Sequence, residues 1–237
     1  MNYSLNLNKD SEALFYWFSC LTVMTFIMIL IGGLTRLTDS GLSMVDWNPL
    51  MGAIPPFTNQ DWLELFDNYK KSPEFIIVNK SMELAGFKYI FWWEWFHRFF
   101  ARLIGLVFII PMMIFIIQKK ISKKLFYHLT ILFLFGLFQA IVGWWMVKSG
   151  LNDNPYVSPY RLAFHLSNAV IILSILFWLT LNSRSNKIVS FVPSKKIEFQ
   201  IFYIIILLFI TIISGAFMAG SNAGQSFNSY PLMNGVI

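Results

Sequence analysis

The sequence predicts an all-α polytopic membrane protein: one four-helix transmembrane bundle followed by the first helix of a second, similar unit. Three observations predict it. First, 57% of the 237 residues are hydrophobic and 13% are charged, with a mean hydropathy of +0.60, whereas a soluble domain carries roughly 25% charged residues. So little charge cannot cover a water-facing surface, which excludes a soluble enzyme, a disordered chain and a nucleic-acid binder despite a pI near 9.4. Second, five stretches reach the length of about 20 apolar residues that a spanning helix needs: 14–34, 99–117, 125–147, 162–181 and 199–220. The second holds Arg102; the others hold no Asp, Glu, Lys or Arg. Third, alternating strand patterns are absent, and lipid offers no partner to a backbone amide, so each crossing is a helix.

The first span is not a cleaved signal peptide: Lys9 faces Asp10 and Glu12 on its flank, and no small-x-small site follows it. Cys20, the single cysteine, sits mid-span and admits no intrachain disulfide. The connection 35–88 is too long for a plain turn. Pro55 and Pro56 break it, Thr58 with Asp61 reads as a helix start, and Trp62, Phe66 and Tyr69 recur at helical spacing. These aromatics either anchor the loop at the membrane interface, the simpler reading, or meet a ligand. A second short helix is expected after Ser81. Basic residues then set the orientation. Lys119, Lys120, Lys123 and Lys124 follow the second span, and Arg184, Lys187, Lys195 and Lys196 follow the fourth. Positive loops stay in the cytoplasm, which places these two connections and the N-terminus inside and the C-terminus outside. The +6 net charge is thereby read as topology rather than as a polyanion-binding patch.

The fifth span opens a repeat. IGGLTRLTDSGLSMVDWNPLMG at 31–52 resembles SGAFMAGSNAGQSFNSYPLMNG at 214–235, pairing Gly32 with Gly215, Thr38 with Ser221, Gly41 with Gly224 and Ser43 with Ser226. With a one-residue slip, the Pro-Leu-Met at 49–51 pairs with that at 231–233. The expected organisation is an N-terminal four-helix half at 1–182 with its outer loop at 35–88, a cytoplasmic connection at 183–198, and at 199–237 the first span and outer segment of an incomplete second half.

Ionisable residues inside a membrane are costly and face the bundle interior. Of the three histidines, His97 and His165 lie near the outer ends of the second and fourth spans, and His128 lies near the inner end of the third. Two histidines on different helices at one depth suit axial ligation of a haem iron; the competing reading is a pair of hydrogen-bonded core histidines. Glu94, His97 and Arg98 share a helix face, and Arg102 continues it one turn deeper. Glu94 serves either as a base or substrate hydrogen-bonder or as one half of an ion pair with Arg98. The arginines suit carboxylates such as propionates. Arg161 is read as an interfacial residue that snorkels.

Four segments then carry a resemblance: GGLTRLTDSGLSM at 32–44, WNPLMGAIPP at 47–56, MELAGFKYIFWWEWFHRFFARLIG at 82–105 and RLAFHLS at 161–167. In order and spacing they resemble the haem A synthase family across nearly the whole chain. The resemblance implies eight spans in two similar four-helix halves, each with a histidine pair near the outer face. By it, the first half receives haem O and the second holds a haem b cofactor, and a methyl of haem O is oxidised through successive hydroxylations to the formyl of haem A for cytochrome oxidase. It implies His97 and His165 as the ligands of the haem iron and Glu94 as the residue implicated in the oxidation; alongside it, Arg98 or Arg102 is read as meeting the propionates. Some members carry a cysteine pair in the first outer loop; its absence here resembles the mitochondrial and alphaproteobacterial branch, in a bacterial cytoplasmic or mitochondrial inner membrane. The sequence stops before the second half's histidines, so a truncated or split product is expected. The rival expectation is a non-catalytic bis-histidine haem-binding module or an inactive fragment. Expected partners are haem O, haem O synthase, a C-terminal half polypeptide, the lipid bilayer and a second copy of the chain.

Overall fold

The computed structural model describes residues 11–47, 51–152, 154–183, 194–226 and 229, and they form helices joined by turns. Five helices are long and apolar enough to cross a membrane: α1 (Ser11–Leu37), α4 (Leu84–Ile117), α5 (Lys123–Lys148), α6 (Pro159–Ser183) and α7 (Lys195–Gly220). Between α1 and α4 lie a 3-10 turn at Met51–Ala53 and two short helices, α2 (Asn59–Tyr69) and α3 (Pro73–Ile77); α8 (Ala223–Ser226) follows α7. The expected polytopic all-α architecture is what forms. The Pro-Leu-Met match, Arg184 and Lys187 fall outside the described residues.

The expected helix start at Thr58 is present as a reciprocal cap. The Thr58 hydroxyl accepts from Asp61 N, and the Asp61 carboxylate accepts from Thr58 N at 2.9 Å. Ser72, Ser122 and Ser194 cap α3, α5 and α7 in the simpler one-sided way. Two expectations for the outer loop are corrected. The helix expected after Ser81 is not a separate short element but the beginning of α4, which runs 34 residues without a break, roughly 50 Å. Trp62, Phe66 and Tyr69 are not exposed to a membrane surface. They are buried against Phe87, Ile90 and Phe91 of α4 and form a core of their own. The apolar face of α2 is thus satisfied by α4 rather than by lipid. The result is a small helical cap on one end of the bundle.

At the opposite end the four spans close on one apolar core. Leu14, Trp17, Phe18 and Leu21 of α1 meet Phe108 of α4, Leu125, Leu129 and Leu132 of α5, and Leu176 and Leu179 of α6. Pro111 lies inside α4, and a proline has no N–H to give the carbonyl four residues before it. That carbonyl, Val107 O, accepts instead from the Trp17 indole at 2.8 Å. Helix α1 packs on α4 and α6, and α5 packs on α6. Helices α4 and α5 meet through side chains, as where Phe108 stacks on Phe133. The bundle is therefore filled with hydrocarbon at the end away from the cap.

Helix α7 docks on α6. A Cβ on Gly220 would come within 2.7 Å of Pro159 Cα, and Phe217 meets Tyr160 edge-on. Its exit turn copies that of α1, residue for residue along the expected repeat. Thr38 N and Ser221 N each bond the carbonyl four residues back, Leu34 O and Phe217 O, at 2.9 Å. Their hydroxyls bond the same two carbonyls. The next residues, Asp39 and Asn222, take φ of 47° and 54°, a left-handed conformation that Asp and Asn tolerate better than most residues. Arg36 joins the two exits by donating to Asp39 Oδ1, to Ala219 O and to Asn222 Oδ1.

Candidate functional site

Between the apolar core and the cap, the bundle is lined by polar and small residues. His97 on α4 and His165 on α6 both lie here. Each is set against a glycine of a neighbouring helix. A Cβ on Gly32 of α1 would lie 3.4 Å from His97 Nε2, and one on Gly143 of α5 would lie 2.9 Å from His165 Cε1. No larger residue fits at Gly143 without moving the imidazole. His97 forms no hydrogen bond among the described residues, and His165 Nδ1 is buried with no hydrogen-bond partner. Neither ring is held by hydrogen bonds at both nitrogens, as a fully satisfied core histidine would be. His128 lies at the other end of the bundle. It bonds Lys124 O at 2.7 Å and packs on Trp178.

Glu94 sits one turn before His97 and is 3% exposed. Its Oε2 accepts from Ser43 Oγ at 2.7 Å and Met44 N at 2.8 Å. Its Oε1 accepts from Arg98 Nη2 at 2.6 Å and Arg98 Nε at 3.1 Å. These contacts occupy the roughly four acceptor positions that a carboxylate has. Arg98 continues outward, donating to Met44 O at 3.0 Å and Asp46 O at 3.1 Å. A buried ion pair thus fastens the chain leaving α1 onto α4. The same stretch reaches α5, where Trp47 stacks on Trp144, and the turn after it, where Leu42 fills the space beside Gly150. Residues 39–47 therefore form a roof across α4 and α5 at the end of the bundle that carries Glu94 and Arg98. The pairing of Glu94 with Arg98 was foreseeable from their spacing. Their bonds to Ser43, Met44 and Asp46 were not, because those contacts depend on how the chain turns after α1.

Two other placements follow. Arg102 lies one turn beyond Arg98 on α4, half-buried. Arg161 donates to Trp145 O at 2.7 Å and lies over the Trp145 ring at 4.5 Å. The sequence reading missed Gln139, whose amide binds His165, and Asn168, whose amide binds Gln139. Their signal was available: both are amides inside otherwise apolar spans, where polar side chains need a reason to be.

Comparison with known proteins decides the lineage. A family model described as "Cytochrome oxidase assembly protein" (COX15-CtaA) matches residues 15–237. The chain belongs to the COX15-CtaA family. Among curated COX15-CtaA relatives, it is 43% identical over 231 residues to the heme A synthase of Parvibaculum lavamentivorans, covering 96% of this chain and 66% of that protein. It is 43% identical to the heme A synthase of Nitrosospira multiformis, covering 92% of this chain and 62% of that one. With the heme A synthase of Rhizobium rhizogenes the identity is 40%, over 100% of this chain and 64% of the relative. The chain spans a little under two thirds of the length of these relatives. No solved structure matches it. COX15-CtaA membership fits the five spans and places the motifs around Glu94, His97 and His165 in the matched region.

Proposed function

We propose that this chain is the substrate half of a haem A synthase, which oxidises a methyl group of haem O to the formyl of haem A. The reading is carried by one observation: two half-buried histidines, on α4 and α6, lie between the apolar core and the cap, each packed against a glycine of a neighbouring helix. In it, His97 and His165 would hold the haem O iron through imidazole lone pairs. Arg102, with Arg98 so far as its loop bonds allow, meets the propionates. Glu94 assists the oxidation of the methyl; since its acceptor positions are filled, it does so by giving up a donor, with Ser43 Oγ the simplest to release. A bound haem would supply a redox-active iron, and an electron acceptor outside this chain would take the electrons removed from the methyl. The protein holds the ring, excludes water with the roof at 39–47, and keeps Glu94 and Arg98 fixed beside it. The domain boundaries at 182 and 198, a haem b site in a C-terminal half, haem O synthase as donor and a homo-oligomer belong to the same proposal. So does a location in a bacterial cytoplasmic or mitochondrial inner membrane with the cap outside, supported by the lysines of the α4–α5 turn.

A second reading is a bis-histidine haem-binding module that does not itself oxidise its ligand. The saturated hydrogen bonding of Glu94 favours it. One experiment separates the two. The chain is expressed in membranes that make haem O, alone and together with the C-terminal half of a relative, and the haems are extracted. The proposal predicts haem O bound by the chain alone and haem A formed when the second half is supplied. Bound haem O that is never converted supports the module. The absence of bound haem overturns both.

A further inference from the structure

His165 is held by a chain of amides. Gln139 of α5 directs its Nε2 at two atoms of His165, the backbone carbonyl and the ring Nε2, each at 3.2 Å. Its Oε1 accepts from Asn168 Nδ2 at 2.6 Å. The same Asn168 nitrogen donates to Phe135 O at 3.2 Å, and Asn168 is 4% exposed.

These contacts fix both amides without reference to the ring. A carbonyl only accepts, so the Asn168 atom at Phe135 O is its NH2. The Gln139 atom that this NH2 also meets is then the carbonyl oxygen. The other Gln139 atom is therefore its NH2, as the contact with His165 O requires independently. An NH2 aimed at a ring nitrogen meets a lone pair. His165 Nε2 is thus the acceptor, and in the neutral ring the proton lies on Nδ1. Nδ1 has no hydrogen-bond partner among the described residues, so no acceptor on that side of the ring selects this tautomer. The selection comes from Gln139.

We propose that Asn168 and Gln139 are positioning residues that hold His165 in its Nδ1–H tautomer, and that the Gln139 bond to Nε2 is a placeholder which the haem iron replaces. This rests on the reading of His165 as an iron ligand. A metal takes a lone pair, so an Nε2–H ring would have to move its proton before binding there. Gln139 keeps its bond to His165 O when it gives up the ring, so its amide is not left without an acceptor. Gly143 lets α5 pack closely against the ring, since a Cβ there would lie 2.9 Å from His165 Cε1.

The test begins with the haem-free wild-type protein, labelled with 15N in its histidine rings and assigned by comparison with His165→Ala. The expected spectrum shows a protonated Nδ1 and an unprotonated Nε2. Gln139→Glu, measured at a pH where the carboxyl is ionised, presents only acceptors to the ring; it is expected to move the proton to Nε2 and to weaken haem binding about tenfold or more. Gln139→Leu removes the bond without reversing its sense and is expected to weaken binding less. A wild-type ring protonated at Nε2, or equal haem affinities for the Glu and Leu variants, would overturn the role of the network alone. Haem bound normally by His165→Ala would overturn the ligand assignment and the placeholder with it.

Discussion

At the scale of single residues, the site depends on groups that cannot be removed singly without leaving a partner exposed to a poor environment. Glu94 and Arg98 are 3% and 14% exposed as side chains. Removing one member of such a pair costs far more than the net worth of the pair, because the other is left buried and uncompensated. Glu94→Ala is expected to destabilise the protein in detergent by about 3–5 kcal/mol. Ser43→Ala, which deletes one hydrogen bond to the carboxylate, should cost about 1.5–3 kcal/mol. Thermal unfolding followed by circular dichroism gives the order; equal losses would mean that the carboxylate does not act as the clamp. In the cap, burial pushes the Glu74 carboxyl up to about 7, against an ordinary value of 4.5, even though it accepts from Tyr69 Oη at 2.8 Å. Below both values the group is protonated in the folded and the unfolded chain. As pH rises from 4.5 to about 7, the unfolded chain releases the proton while the folded one retains it. Cap stability therefore falls with rising pH over that window and levels off above it. Hydrogen exchange in α2 and α3 should show this slope, and Glu74→Gln should flatten it.

At the scale of elements, glycines decide how close the helices stand to the histidines. A Cβ at position 143 would meet His165 Cε1 at 2.9 Å, whereas one at position 32 would meet His97 Nε2 at an acceptable 3.4 Å. Gly143→Ala should therefore lower haem affinity more than Gly32→Ala, with both variants still folded; the reverse order in a haem titration would misplace the His165 ring. Much of this scale was legible in the sequence. Composition and run length identify every span, and helical spacing puts Glu94, His97 and Arg98 on one face. The full length of α4 was not legible. A hydropathy reading sees the part that lipid can cover, and the first turns of α4 are covered by α2 instead. The aromatics of α2 were misjudged for the same reason: an apolar face seeks any apolar partner, and the sequence does not say whether that is lipid or protein.

At the scale of the whole molecule, the four spans make a bundle closed by hydrocarbon at one end and opened to polar chemistry at the other, with the roof and cap over the polar end. The matching exit turns of α1 and α7, bridged by Arg36, are what a chain built from repeated units would show, and the pairing of Thr38 with Ser221 was readable in advance. The Arg36 bridge was not, since it joins residues 183 apart in sequence. The proposed orientation puts the cap outside and the α4–α5 turn inside. After Cys20→Ser, a single cysteine introduced by Lys120→Cys should resist a membrane-impermeant maleimide applied from outside, and one introduced by Leu151→Cys should react; the opposite pattern would invert the protein. The central claim is that His97 and His165 together hold the haem iron, and the most direct measurement is the absorption spectrum of purified protein titrated with haem O. Wild type should give a six-coordinate bis-histidine spectrum, His97→Ala and His165→Ala should each lose it, and the double variant should bind no haem in the bundle. An unchanged spectrum and affinity in the double variant would contradict the account.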